Sequence, residues 1–372
     1  MEIRVHFQKD LKVSLGFKRA DQVKGAKTAI NFSYFSPGSP STPVGLHYAD
    51  GQFFGQQKGH QWHFFTLAGK DGKVYCEHMP FGVPAYNTPD WALAGGPLLV
   101  LNGKKVNIAA YEWNRGGTDV LSRRARVAVG LKDPWAYLVY VEEGEMSCPE
   151  LADFFVRIGC DQAIAGDGGG SASMVFDKFK VARRQVPSVI YATAPALYKV
   201  GIDAGHGGVD PGAVAGNVKE KDLNLKISAS MIQFMAGLTK VAPVPLYLSD
   251  VDTPLAAICD LANKTKCDVF VSHHNNASGS PRPGTGREYY TVSANGKRLA
   301  QSIEKYMAVA SPLRFRGFKS ERFKVLVDTV MPAVLIEHSF VDNVQDMQII
   351  GDPMYLGAIG LACALGAEDY FK

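Results

Sequence analysis

Along the first half of the chain, apolar residues come in short runs broken by Gly, Pro, Asn and Asp. Ala29–Phe35, Gln61–Leu67, Leu98–Val100, Ala125–Val129 and Ala136–Val141 read as strands on that pattern. One stretch changes period. Leu151, Phe154, Phe155 and Ile158 recur at helical spacing, and Ser147 with Glu150 three residues on makes a capping box. A helix from Cys148 to Ile158 is therefore predicted. A further strand, Gln162–Ala165, leads into the loop Asp167-Gly168-Gly169-Gly170-Ser171. With no internal repeat and no low-complexity tract, this half reads as a mixed α+β domain.

The second half alternates more regularly. Strand Tyr198–Ile202 leads through a glycine-rich loop to a helix from Lys219 to about Leu238. Strand Val244–Leu248, helix Pro254–Lys264 and strand Cys267–Ser272 follow. After a Pro/Gly loop at 278–286 come Glu288–Val292, a helix near Gly296–Ala308, and strands near Lys324–Val327 and Ala333–Glu337. Helices from Val344 and from Pro353 close the chain. Such β/α alternation predicts an α/β domain with a mainly parallel sheet covered by helices.

Length supports that division: 372 residues suit two domains, 1–196 and 197–372. An apolar fraction of 46% and a charged fraction of 20% are ordinary for a globular chain. The formal net charge of +4 does not call for a nucleic-acid partner, and the positive excess lies entirely before Lys199. That bias suits an anionic polymer. Neither a secretory h-region at the N-terminus nor an apolar run long enough to span a membrane is found, and Tyr355–Gly366 reads as a buried helix. The six cysteines lack CxxC or framework spacing. They are expected to be free thiols in a chain made in the cytosol.

Ligands of open α/β sheets gather beyond the carboxyl ends of the strands. His206 follows the first strand of the second half, His273 and His274 the third, and Glu337 ends Ala333–Ile336. Glu220 opens the first helix at the same edge. Each has a structural reading: Glu220 fits a cap with Asn217, His206 a loop hydrogen bond, and Glu337 a solvated strand end. Their convergence points instead to two histidines and a carboxylate holding a catalytic zinc, with a further glutamate as base and acid.

DAGHGGVDPGA (Asp203–Ala213), EKDLNL (Glu220–Leu225), SHHNNA (Ser272–Ala277), GREYY (Gly286–Tyr290) and MPAVLIEHSFVDN (Met331–Asn343) resemble the zinc-dependent N-acetylmuramoyl-L-alanine amidases of the Amidase_3 type. The family's Ser-x-His-x-Asn pattern selects His274 over His273 and implies a substrate contact at Asn276. Its zinc ligands carry over to His206, Glu220 and His274, and its catalytic glutamate to Glu337. The resemblance implies metal-assisted hydrolysis of the lactoyl–L-alanine amide of peptidoglycan. Ser339 stands where the family has glycine, and is expected to narrow the cleft without abolishing the chemistry. The basic, phenylalanine-rich stretch Arg314–Lys324 reads either as a solvated connector or as a groove for anionic glycan.

In the first half, three consecutive glycines free backbone N–H groups to face an anion, or simply make a tight turn. Arg126 sits in an apolar run, as a phosphate clamp or an edge residue would. Asn31–Phe35, Gly96–Gly103, Arg126–Gly130, Asp167–Ser171, Arg184 and Val186-Pro187 together resemble the phosphodiester glycosidase family, which cleaves GlcNAc-1-phosphodiesters. The resemblance implies Asp167 and Arg126 as catalytic, and Asn31, Gly168, Gly169, Gly170 and Ser171 as substrate contacts. Phe32 and Ser33 replace the family's glycines, and Val127 its threonine, which alters the pocket. The expectation is a bifunctional cell-wall hydrolase acting on peptidoglycan and a teichoic acid-like polymer, with Zn2+ as cofactor and no membrane insertion. Absence of a signal peptide suits a phage or prophage endolysin made in the cytoplasm and acting at the wall after release. Competing readings are a non-catalytic wall-binding first domain, a host lysis or sporulation amidase, and a zinc carboxypeptidase.

Overall fold

The computed structural model describes residues 1–36, 41–54, 65–78, 88–108, 120–279 and 284–372. Two compact units divide at Ala196/Leu197.

The first unit, Met1–Ala196, is built from antiparallel sheets. One six-stranded sheet takes the order β1 (Glu2–Phe7), β6 (Trp135–Val141), β5 (Arg126–Lys132), β7 (Gln162–Ala165), β4 (Leu98–Leu101) and Lys104–Lys105. Every residue of β6 is buried, so both its faces are covered, and its sequence is a continuous apolar run rather than an alternating one. A five-stranded sheet runs Phe179–Val181, β8 (Met174–Phe176), β3 (Thr28–Asn31), β9 (Val186–Ala192), β2 (Leu11–Lys18). A third, of five strands, centres on Trp91–Gly95. Ile30, Phe32, Leu93, Val127, Val129, Leu138, Ile164 and Ile190 share the main core. Helix α1 (Cys148–Arg157) starts as predicted, with the Ser147–Glu150 capping box formed. Of the expected strand Gln61–Leu67, residues 61–64 lie outside the described residues, and a strand runs from Phe65 to Lys70.

The second unit, Leu197–Lys372, has one six-stranded sheet in the order β11 (Val241–Leu246), β10 (Tyr198–Ala204), β12 (Val269–Asn276), β15 (Ala333–Phe340), β13 (Arg287–Tyr290), β14 (Phe315–Lys319). All neighbours are parallel except β15 and β13. Helices α2 (Glu220–Met235), α4 (Ala294–Ala310) and α7 (Pro353–Asp369) pack together, with α2 on β12 and α4 on β15. Helix α3 (Leu255–Lys264) packs with the short α5 (Lys324–Val327), and α6 (Val344–Ile350) precedes α7. The middle of α7, within Tyr355–Gly366, is too apolar for a surface helix and is buried as expected: Ile359, Cys363 and Ala364 have no exposed surface.

One element differs from its sequence reading. Lys324–Val327 is a helical turn, not a strand. Val325 and Leu326 are both buried, and the turn is held by Lys324 Nζ on the Asp328 carboxylate and by the Thr329 hydroxyl donating to the Val325 carbonyl at 2.7 Å. Those local bonds decide a short run of three apolar residues, Val325–Val327, that periodicity alone leaves ambiguous. Phe315–Lys319, within the basic stretch, is an edge strand rather than a connector.

Candidate metal centre and glycine-loop site

At the carboxyl edge of the parallel sheet, β10 delivers the chain into the loop carrying His206, and β12 ends through His274. His274 and Glu337 are register partners on β12 and β15. Glu220 is the first residue of α2. One ligand atom from each of His206, Glu220 and His274 lies within 4.8 Å of the others, and the two imidazoles meet edge-on, centroids 5.0 Å apart. Gly212 closes the loop against this cluster. Its φ of +64° and its closeness to Glu220 Oε2, 2.5 Å from where a Cβ would sit, leave room for no side chain. His206 itself has φ +67°, an uncommon conformation for a residue with a Cβ.

Glu220 is the hub. His274 Nδ1 lies 2.9 Å from its Oε1 and His206 Nε2 3.2 Å from its Oε2. The amides of Asn275 and Ala213 donate to the same two oxygens at 3.0 and 2.8 Å. Burial alone would raise this carboxyl, but the bonds from both histidines outweigh it and hold it well below the usual range. His206 is pushed up to about 9, first by Glu220 and then by Asp210, against the opposing effect of burial. Burial pulls His274 down, yet Glu220 and the charge of Glu337 leave it raised.

This donor set fits a divalent ion. Two imidazole nitrogens face one carboxylate across a gap of ligand dimensions, and Asp210 Oδ2 holds His206 Nδ1 at 2.7 Å, which turns Nε2 inward. Glu337 stands apart from the three. Its Oε2 is buried without a hydrogen-bond partner, and burial, aided by the negative Glu220 and Glu288, pushes it up to about 7. It lines, with His206 and His274, a cavity of about 520 Å³ whose walls include Leu246, Val251, Ile258 and Phe323.

Several supporting residues escaped the sequence reading. Asn224, one helical turn after Glu220, donates to the Gly205 carbonyl at 2.8 Å and accepts from Asn275 at 2.9 Å. Ser339 is fully buried and donates to Asn275 Oδ1 at 2.7 Å, so it completes this chain and does not narrow the cavity. The i, i+4 spacing of Glu220 and Asn224 was the available signal. Glu288, register partner of Glu337, accepts from the Tyr290 hydroxyl at 2.6 Å, from Lys319 and from Arg316. Two cations of the basic stretch thus have an internal anion. Asn276 is half-buried at the end of β12, two residues past His274.

The glycine loop of the first unit is braced from behind. Asn31 is fully buried; its amide donates to the Asp167 carbonyl at 2.8 Å and accepts from Ser173 N at 2.7 Å. Asp167 N donates to the Phe32 carbonyl at 2.6 Å, and Gly169 N to Ala125 at 2.7 Å. Gly169 has φ +57°, and a short 3-10 turn carries the chain through Ser171, whose hydroxyl accepts from Arg184 Nε at 2.9 Å. Arg126 is buried beside Gly168, donating from Nη2 to the Ser122 carbonyl at 2.8 Å. The structure thus brings Asn31, Arg126, Asp167, Gly168, Gly169, Gly170 and Ser171 into one neighbourhood and adds Arg184 to it. It does not present the loop as an open row of amides, because Gly169 and Ser171 N–H are bonded within the fold. A cavity of about 310 Å³ in this unit lies elsewhere, lined by Gln8, Lys12, Asp90 and Trp91 among others.

Comparison with known families matches residues 200–369 to N-acetylmuramoyl-L-alanine amidase and residues 24–193 to phosphodiester glycosidase. The chain is 32% identical over 174 residues to the N-acetylmuramoyl-L-alanine amidase LytC of Bacillus subtilis, covering 46% of this chain and 35% of that protein. It is 32% identical over 182 residues to the sporulation-specific N-acetylmuramoyl-L-alanine amidase of Bacillus subtilis, covering 47% of this chain and 69% of that protein. To the endolysin of Bacillus phage SPP1 it is 33% identical over 175 residues, covering 46% of this chain and 65% of that protein.

Proposed function

The chain belongs to the N-acetylmuramoyl-L-alanine amidase family, and from that premise we propose that it is a zinc-dependent hydrolase of the amide between N-acetylmuramic acid and L-alanine in peptidoglycan. The observation that carries this is the meeting of His206, Glu220 and His274 beside an unpartnered, buried Glu337. The three ligands would hold zinc, which when bound supplies polarisation of the scissile carbonyl and acidification of water. Glu337 has the position and proton affinity of the general base: near neutrality its carboxyl exchanges a proton readily. It takes the proton from the attacking water at Oε2 and returns it to the L-alanine nitrogen as the C–N bond breaks. Products are a lactoyl carboxylate on the glycan and a peptide with a free N-terminal alanine. Asp210 fixes the His206 tautomer, and the apolar wall of Leu246, Val251 and Ile258 excludes water from the stem peptide's path.

For the first unit the reading is phosphodiester glycosidase action on GlcNAc-1-phosphodiester bonds of an anionic, teichoic acid-like wall polymer. Arg126 would clamp phosphate and Asp167 would act as the acid or base. The braced loop, with two of its amides already bonded, favours a second reading: a wall-binding unit without its own chemistry. The place of action is the bacterial wall. Similarity to a phage endolysin supports release from the cytoplasm at lysis, and similarity to a sporulation amidase supports a host role.

Mass spectrometry of purified walls digested by the wild type and by His206→Ala tests both halves. New N-terminal alanine from the wild type alone is expected, with sugar-phosphate release by both proteins. No new N-terminal alanine from the wild type overturns the amidase reading, free C-terminal D-alanine would make it a carboxypeptidase, and absence of sugar-phosphate release leaves the first unit as a binding module.

A further inference from the structure

The strands that carry His274 and Glu337 place two more histidines on the opposite face of the sheet. Side chains alternate along a strand, so His273 and His338, each adjacent to one of that pair, point away from the cavity and toward the layer beneath α7. There they meet Cys363 of α7. All three are buried, at 0%, 1% and 0% exposure. His273 Nδ1 and His338 Nε2 are 2.9 Å apart, the rings lie 22° from parallel, and one nitrogen of each lies within 4.8 Å of the other and of Cys363 Sγ.

As a purely structural pair this arrangement is incomplete. One hydrogen bond between the rings serves one nitrogen of each, and the outer atoms, His273 Nε2 and His338 Nδ1, are buried with no partner. Two imidazoles and a thiol in a dry layer carry a desolvation cost that one bond does not offset, and such unpartnered groups call for a specific cause. Apolar residues of similar volume would pack the layer without it.

We propose that His273, His338 and Cys363 form a second, enclosed metal site for copper(I), separate from the candidate zinc centre on the other face. Two imidazoles and a thiolate are a soft, three-coordinate donor set. Charge decides between ions. A monovalent ion with one thiolate and two neutral imidazoles sums to zero, whereas a divalent ion leaves a net positive charge in a layer without water. Each neutral imidazole keeps one lone pair for the ion. The ion takes one nitrogen of each ring, the one within reach of Cys363 Sγ, and each neutral ring carries its single proton on its other nitrogen. Burial raises the Cys363 thiol, so it is protonated until the ion arrives; the S–H bond breaks as the S–Cu bond forms, and one proton leaves. No electron is transferred. Occupancy would tie β12, β15 and α7 together directly behind His274 and Glu337.

The test is metal analysis of the full chain, expressed in copper-supplemented cells and purified without air. About one copper per chain is expected in the wild type and in His206→Ala, and none in Cys363→Ser or His338→Leu, while zinc falls only in His206→Ala. No copper in the wild type, equal copper in Cys363→Ser, or loss of copper in His206→Ala would overturn the proposal. Should the Cys363 and His338 variants fail to fold, X-ray absorption at the copper edge of the wild type decides. One sulfur in the coordination shell supports the site, and a shell of nitrogen and oxygen alone sinks it.

Discussion

At the edge of the parallel sheet, His206, Glu220 and His274 face one another, and Glu337 keeps a buried oxygen unpartnered beside an open cavity. At the glycine loop of the first unit, Asn31, the Ser171 hydroxyl and two of the loop amides all have hydrogen-bond partners within the unit. Both sites were reached from short motifs of similar length, yet one leaves charge unsatisfied and the other binds most of its polar groups. Unsatisfied buried charge costs stability and persists where a ligand or reaction supplies the missing partner. A loop whose polar groups are mostly bonded costs little to keep, so its chemistry rests on fewer groups, chiefly Arg126 and Asp167. The amidase reading therefore stands on geometry, and the glycosidase reading on family resemblance.

The contrast breaks most visibly at Glu337. Replacing it with Gln keeps the size and removes the proton acceptor. A fall of about a hundred- to ten-thousand-fold in kcat for amide hydrolysis is expected, with zinc content unchanged. Steady-state assay on wall fragments together with metal analysis checks this, and full activity in the variant would return Glu337 to a structural role. Next in size is Arg126→Lys, which keeps the charge but loses the planar fork. If the first unit is catalytic, sugar-phosphate release should drop by about a hundred- to a thousand-fold while amide cleavage is untouched. Unchanged release would remove Arg126 from the site.

The difference between the two sites also explains what was legible. His206, the pair His273 and His274, and Glu337 could be placed because strand–helix alternation locates strand ends, and strand ends of a parallel sheet share one edge; the choice of His274 came from the family's Ser-x-His-x-Asn pattern. Asp210 and Asn275 were missed because their roles depend on a loop's path and on a side chain reaching across from β12 to α2. The helical turn Lys324–Val327 was read as a strand since three apolar residues after a lysine carry no usable period. In the first unit the helix α1 announced itself through its capping box, but pairing of β2 with β9, far apart in sequence, leaves no local trace. Ser339 was assigned to the cavity because a motif gives position along a strand and not which face the side chain takes.

A smaller effect separates bracing from chemistry in the first unit. Asn31→Ala strands the Ser173 amide, which is buried, and frees the Asp167 carbonyl. Each stranded group costs about 1–3 kcal/mol, so the calorimetric transition of the first unit should fall while amide hydrolysis and the second unit's transition do not move. An unchanged first transition would mean that the loop holds its shape without Asn31.

The last expected effect is acid lability seated in two buried histidines of the first unit. His6 and His47 are each lowered from 6.5 to about 4, by burial first, with Arg4 adding to the shift at His6 and a bond to the Gly45 carbonyl opposing it at His47. Their folded forms bind fewer protons than the unfolded chain between those values, so stability rises with pH across the window. Above about pH 6.5 both states hold neutral imidazole and neither residue matters. As pH falls below that point the unfolded chain takes up protons that the folded unit refuses, and near pH 5.5 each histidine costs about 1 kcal/mol. The loss continues to grow until pH passes the folded values near 4. Calorimetry of the first transition from pH ~7 to ~5 measures the slope, and His6→Gln should remove roughly half of it. A slope left whole in that variant would place the lability elsewhere in the unit. A first transition that ignores pH altogether would mean that water reaches these rings, and that the first unit is packed less tightly than its loop bracing implies.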